Sequence, residues 1–450
     1  MAFGTTNLQG SPQAVGATFF NKTINNSLRF TRGDSSRMLD SAIPSGGNRR
    51  LWTFSTWVKV ADNFNQYNCI WGAGGTGTYP SAGLCFHYSR LQFFDYRHPS
   101  YTTNLISTAK FRDTGAWLNV VVVYDSAAAT ISTEKVKIFV NGERLTAFDT
   151  ASYPSDDYDG LINDNTAGNE PTIGFIPGFD YSDFYLAEMY LIDGQKLTPA
   201  SFGELKNGIW IPKKYTGTFG TTGFHLTFSD SSNVGNDSSG LNNHFDDVDN
   251  IVATDVVTDT PTNNWCTLNP LKKNTQTQTF AEGNLDFSST QTSTNPAVTS
   301  TLAVSSGKWY WEVYIRAQGN SVNSVGIAQN PNDLENDTSA LYLKTTAYSY
   351  QANGQKRNNA DVSYGDSWTA ADIIGVALDL DNGAVYFYKN GTIQNSGTAA
   401  YTGLSGEFTS YSLVYSSGAQ VYNFGQDASF ANNLTGGNVG TAIGGGGVWK

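Results

Sequence analysis

Two stretches of this chain carry the same device. VKIFVNGERL, residues 136–145, and VYFYKNGTIQ, residues 385–394, each alternate side chains between two faces, reach Asn-Gly and turn back. Asn and Gly tolerate positive φ at both central turn positions, so each pair closes a two-residue hairpin whose twist matches its flanking strands. The two stretches start 249 residues apart, which is too long for a solenoid period. The feature predicts two β-domains in series, each with its own tight hairpin.

The remaining composition agrees with an all-β chain. Of 450 residues, 46 are glycine, 13% are aromatic and only 15% are charged. Runs of Ala, Glu, Lys and Leu at helical spacing are missing. The 39% hydrophobic share supplies real cores and argues against general disorder. A formal net charge of −12 disfavours direct affinity for nucleic-acid phosphates or anionic membranes. No segment approaches the roughly 20 apolar residues that span a bilayer. The N-terminus lacks the basic region and apolar core of a secretory signal. Cys69, Cys85 and Cys266 form an odd, sparse set without C-x-x-C spacing, which supports neither a disulfide framework nor a zinc site. Cys69 and Cys85 can in principle pair, but buried free thiols are the favoured state.

Along the chain, LWTFSTWVKV places Trp52, Phe54, Thr56 and Val58 on one parity and Thr53, Ser55, Trp57 and Lys59 on the other. Aromatics on both faces read as a strand buried in a sandwich. NCIWGAG, GLCFHYSRLQFFDYR, WLNVVVVYD and FYLAEMYLIDGQKL follow as further strands. A short helix is expected over TPASFGELKNG, capped by Thr198 with Pro199 in its first turn. Residues 231–278 turn dense in Asn, Asp, Thr and Ser and read as a connector. Trp265, Leu268 and Leu271 pin it to a domain surface. GKWYWEVYIRAQ sets Trp309, Trp311, Val313 and Ile315 on one parity and opens a second series of short strands. The expected organisation is a β-sandwich over 1–230, the connector 231–278, a second sandwich over 279–430 and a Gly-rich tail over 431–450. The fold class is all-β, with two antiparallel, jelly-roll-like sandwiches in tandem.

WTFSTWVKV, WLNVVVVYD leading into VKIFVNGERL, and FYLAEMYLIDGQKLTPASFGEL resemble the concanavalin A-like, laminin-G-type jelly roll. GKWYWEV, DIIGVALDLDNGAVYFYKNG and the closing YNFGQ resemble the SPRY domain. With DTPTNNWCTLNPL between them, the pairing resembles virion structural proteins of tailed phages, particularly those of marine and cyanobacterial hosts. That resemblance implies a virion component assembled in the host cytoplasm.

The concanavalin-like fold also hosts glycanases, whose retaining members need two carboxylates about 5–5.5 Å apart. The nine glutamates include no E-x-D-x-E pattern, and Glu188 and Glu312 each sit alone on a strand, where a structural role is favoured. His87, His98, His225 and His244 lack metal-binding spacing. No nucleophile elbow or Walker loop occurs. The expectation is a protein that is not an enzyme and has no cofactor. Laminin-G-type modules often hold Ca²⁺ at a sheet rim, and Asp95, Asp156, Asp157, Asp180 and Asp183 fall in candidate loops. Asp in a loop is more often a turn former, so no metal ligand is assigned.

Carbohydrate binding would need exposed aromatic rings, which stack on sugar C–H faces; the favoured alternative for the candidate rings is that they cover the core edge or a subunit contact. Tyr96, His98 and Tyr101 offer one such set. SPRY domains bind partners through loops at one end of the sandwich, and Tyr348, Tyr350, Lys356, Arg357 and Trp368 are the matching candidates here. The leading expectation is a tail-fibre or appendage component that attaches to a host-surface glycan or envelope protein. Its partners would be other virion proteins and copies of itself, a trimer favoured, with affinity compounded by avidity. The main alternative is a capsid-decorating, particle-stabilising protein. A polysaccharide depolymerase stands third.

Overall fold

The computed structural model describes residues 19–41, 45–62, 64, 66–74, 80–127, 131–166, 168–291, 295–329 and 345–426. The Gly-rich tail 431–450 lies outside the described residues. The chain divides into two compact units, one ending at Asn264 and the next beginning at Trp265. Both are antiparallel β-structures, and no α-helix occurs among the described residues.

In the first unit one sheet runs, in spatial order, Glu143–Arg144, Val136–Val140, Leu118–Asp125, Leu51–Val60, Phe184–Asp193, Ser27–Phe30 and Val256–Val257, with Phe224–Leu226 also pairing to Phe184–Asp193. The other runs Phe148–Ser152, Ser100–Lys110, Arg90–Arg97, Ser81–His87, Tyr67–Gly74, Pro171–Ile173, Arg37–Leu39 and Asp247–Asp249. Side chains at alternate positions of both sheets meet between the layers, as the strand period of two requires. Trp52 and Phe54 from the first sheet pack on Trp71 from the second, the Phe54 and Trp71 rings stacking at 4.3 Å between centroids. The opposite parity of the first sheet is buried too. Trp57 packs with Ile24, Trp117 and Tyr185, while Val121 and Val123 pack with Tyr190 and Phe202.

The second unit repeats the plan. One sheet runs Leu268–Lys273, Ala297–Ser300, Thr409–Leu413, Ser324–Ala328, Ala347–Gln351, Gln355–Asn358 and Ala360–Ser363. The other runs Thr279–Ala281, Asp286–Ser288, Ala419–Asn423, Lys308–Ala317, Ile373–Asp379, Ala384–Lys389 and Thr392–Ile393. Trp311, Val313 and Ile315 enter a core with Val325, Ile327, Tyr350, Val376, Phe387 and Tyr422.

Both Asn-Gly hairpins form as their residues dictate. Asn141 and Gly142 have φ of 49° and 84°, and Asn390 and Gly391 have 48° and 77°. The helix expected at TPASFGELKNG does not form. Only a single 3-10 turn, Pro199–Ser201, is present, followed by the hairpin Gly203–Lys206 with Ile209–Pro212. A third Asn-Gly pair, Asn207 and Gly208 at φ 51° and 80°, closes that hairpin. Trp210 packs so close to Gly203 that a Cβ there would lie 2.4 Å from the indole.

The Asn- and Asp-rich stretch is divided between the units. Its first part is ordered on the first unit both by core contacts of Val234 and Phe245 and by hydrogen bonds: Asp237 accepts from the backbone of His225, Ser239 and Asn243. Leu268 is fully buried in the second unit, whereas Leu271 is 37% exposed. Cys69 and Cys85 are not free thiols. They are direct cross-strand partners and form a disulfide, because the register sets their Cβ atoms side by side on one face.

Candidate ligand-contact surface

Tyr96, His98 and Tyr101 come together. They lie at the tip of the hairpin joining Arg90–Arg97 to Ser100–Lys110, which turns at a cis His98–Pro99 peptide. Tyr96 and Tyr101 are register partners with ring centroids 5.0 Å apart, and the His98 ring is 6.4 Å from Tyr96. His98 is exposed, Tyr101 is 43% exposed and Tyr96 is half-buried. From the inner face, buried Asp95 anchors the hairpin by accepting the Leu161 N–H at 2.8 Å and facing Arg97 Nε at 3.4 Å. Burial pushes the Asp95 carboxyl above its usual range, and those two contacts only partly offset the shift.

The tip is one end of a longer row of rings across the outer face of that sheet. Tyr101 lies 6.2 Å from Phe94, Phe94 lies 5.0 Å from Phe179, and Phe179 lies 5.0 Å from Tyr67. Tyr67 stacks on His87 at 4.6 Å, and His87 is 4.9 Å from Tyr88, which is 52% exposed. The row rests on the Cys69–Cys85 disulfide and Ile176. Burial, then the Arg90 charge, lowers the His87 pKa, so its ring is neutral at neutral pH and stacks as an apolar surface. Tyr88 and Ser89 close their hairpin with φ of 48° and 72°, a conformation that costs bulky residues and here sets a tyrosine on the rim. Tyr67, Tyr88 and Phe179 were not among the residues the sequence singled out. The signal that finds Tyr67 is the shared outward parity of Tyr67 and Cys69, Cys85 and His87, and Phe94 and Tyr96 on three neighbouring strands, whereas Tyr88 and Phe179 lie outside the strands and carry no such signal.

The five candidates in the second unit separate. Tyr350 and Trp368, expected at the contacting loops, are 0% and 1% exposed and belong to the core. The Tyr350 ring packs on Phe387 and on the Trp368 ring, because the opposite sheet covers its face of the strand. Tyr348 is half-buried against Tyr401 and Phe408. Lys356 Nζ lies 5.2 Å from the Tyr401 centroid and donates to the Ala400 carbonyl. Arg357 lies on the opposite parity, with Nη1 2.7 Å from Asp361. Tyr348 and Lys356 therefore meet at Tyr401, and Arg357 does not join them.

A small cleft in the first unit is lined by Asp40, Asn163, Asp164, Asn169 and Thr222 around Trp71, Phe224 and Phe245. Asp164 is engaged by Arg49 at 3.0 Å and by the Thr166 hydroxyl at 2.7 Å. Among the described residues no group of three or more His, Cys, Asp or Glu side chains is placed to hold a metal ion. Of the rim aspartates, Asp156 pairs with Lys135, Asp157 faces Arg50 and Asp183 pairs with Arg32.

Residues 308–427 match the family described as the SPRY domain. A 99-residue stretch, 22% of this chain, is 31% identical to the E3 ubiquitin-protein ligase RKP of Arabidopsis thaliana and covers 7% of that protein. The chain thus spans a small fraction of that relative's length. Among solved structures, the SPRY domain of human HERC1 is similar over 34% of this chain and 96% of its own, at 21% identity and a TM-score of 0.30. The stonustoxin structure is similar over 35% of this chain and 27% of its own, at 21% identity and a TM-score of 0.29. Residues 308–427, the heart of the second unit, are a SPRY domain, a family typical of protein–protein interaction modules.

Proposed function

We propose that this chain is a non-enzymatic adhesion protein of a tailed-phage particle, a tail-fibre or appendage component. Its first unit, a concanavalin A-like sandwich, contacts a host-surface glycan. Its SPRY domain engages a protein partner. The observation that carries the reading is the exposed hairpin of Tyr96, His98 and Tyr101 at the end of the aromatic row. Aromatic faces stack on sugar C–H groups, and a ring pair backed by a disulfide and held by Asp95 loses little freedom on binding. One such patch binds weakly. A trimer presenting three engages them together and compounds the affinity. The sequence resemblance supplies the virion setting.

The test is adsorption of particles carrying Tyr96→Ala and Tyr101→Ala together. Loss of roughly tenfold or more in host binding, in a chain that still folds, is expected for residues at the centre of a contact. Unchanged adsorption overturns the assignment of the site. Labelled antibody over the head shell instead of the tail overturns the attachment role in favour of capsid decoration. Release of reducing ends from host polysaccharide, lost on Asp40→Asn, overturns the non-enzymatic reading.

A further inference from the structure

Lys59 lies on the second parity of the strand Leu51–Val60 and is 0% exposed. A buried ammonium is tolerated only when paired and hydrogen-bonded. Here Nζ is 2.7 Å from Asp259 Oδ2 and 2.9 Å from Asn264 Oδ1. The other Asp259 oxygen accepts Trp117 Nε1 at 2.9 Å, and Asn264 Nδ2 donates to the Gly115 carbonyl at 2.8 Å. Aromatic surface encloses the group, with the Tyr185 centroid 5.9 Å from Nζ. The backbone is equally constrained. Thr260 and Asn263 exchange both N–H···O bonds, at 3.1 and 3.0 Å, and the hydroxyls of Thr260 and Thr262 each reach the Ile24 carbonyl at 2.9 Å.

An amine held at once against a carboxylate and a side-chain amide, with the amine and the carboxylate buried and the amide partly so, brings together the reactants and the proton carrier of an amide exchange. We propose that Lys59 and Asn264 become joined by an intramolecular isopeptide bond, with Asp259 carrying the protons. The step begins with proton transfer across the 2.7 Å contact, which frees the amine lone pair and leaves Asp259 as the acid. The amine lone pair then attacks Asn264 Cγ, and a new C–N bond forms as the carbonyl π pair moves to Oδ1. Asp259 delivers its proton to Nδ2 and takes one from the attacking nitrogen. Collapse of the oxyanion breaks the Cγ–Nδ2 bond and releases ammonia, which departs as ammonium with the proton Lys59 first carried. Nothing is oxidised or reduced. Holding the reactants at contact supplies the effective concentration that this slow exchange needs.

Asn264 is the last residue of the first unit, so the bond would tie that end covalently to a central strand. Conformational freedom in the unfolded chain would fall accordingly.

The test is mass spectrometry of the purified full-length chain, denatured and reduced. The expected mass is lower by one ammonia, and a protease digest yields a branched peptide joining Lys59 to Asn264 as the main form. Succinimide formation at Asn-Gly also releases ammonia, so the branched peptide decides. Asp259→Asn is expected to leave both residues in separate linear peptides. Should that variant not fold, the wild-type digest still answers. Linear peptides carrying intact Lys59 and Asn264 in full yield overturn the proposal, as does a water-loss link between Lys59 and Asp259.

Discussion

His225 Nε2 lies 2.9 Å from Glu188 Oε2, and Glu188 stands in the middle of a strand that is otherwise apolar from Phe184 to Ile192. Glu188 sits at a β-bulge, where the register between Phe184–Asp193 and Leu51–Val60 shifts and its own φ is 51°. Its carboxylate also accepts from Lys22 and the Tyr190 hydroxyl. Burial pushes this carboxyl up, but the His225 hydrogen bond and the Lys22 charge outweigh it and hold the pKa at about 2. The solitary glutamate is thus the hub of a buried polar cluster.

Acid should therefore unfold the first unit through this residue. The folded pKa of about 2 lies below the ordinary 4.5, so the stabilisation is fully present above pH 4.5 and is lost as pH falls toward 2. The shift corresponds to roughly 3 kcal/mol. Glu188→Gln should cost about 2–4 kcal/mol at neutral pH and flatten the acid limb, checked by urea denaturation across pH. An unchanged acid limb would exclude Glu188 as its source.

Asp183 should act with the opposite sign. Burial raises its carboxyl to about 6, against the Arg32 hydrogen bond and charge, while Asp62 and Asp34 add repulsion. The folded state then holds a proton between pH 3.8 and about 6 that the unfolded chain has lost, so stability falls as pH rises through that window. Asp183→Asn should remove the fall, worth roughly 2–3 kcal/mol. The same denaturation series reads both residues.

Reduction should weaken the first unit and spare the second. The Cys69–Cys85 bridge closes a loop with a sequence separation of 16, worth about 3 kcal/mol in the chain-entropy account. Thiol labelling of the denatured, unreduced chain should modify Cys266 alone, and after reduction all three cysteines. Labelling of Cys69 and Cys85 without reductant would exclude the bridge.

Trp368→Ala should destabilise the SPRY domain by about 3–5 kcal/mol as a core truncation. Lys356→Ala should cost no more than about 1–2 kcal/mol, through its contacts with the Tyr401 ring and the Ala400 carbonyl. Equal effects of the two substitutions on thermal unfolding would contradict the burial of Trp368.

These differences show which parts of the structure were legible in the sequence. The sequence alone determined the two sandwich cores and the hairpins at 141–142 and 390–391, because side-chain alternation and positive-φ turn residues are properties of a few adjacent positions. Tyr96, His98 and Tyr101 were legible for the same reason, being neighbours across one tight turn. Tertiary structure decided everything that depended on what covers a face. Tyr350 and Tyr348 share a parity, yet only the opposing sheet makes Tyr350 core. Cys69 meets Cys85 through strand register, and Glu188, Lys59 and the aromatic row acquire their partners from segments up to 205 residues away. No local pattern encodes those meetings, because they form only when separate strands and loops close over the same surface.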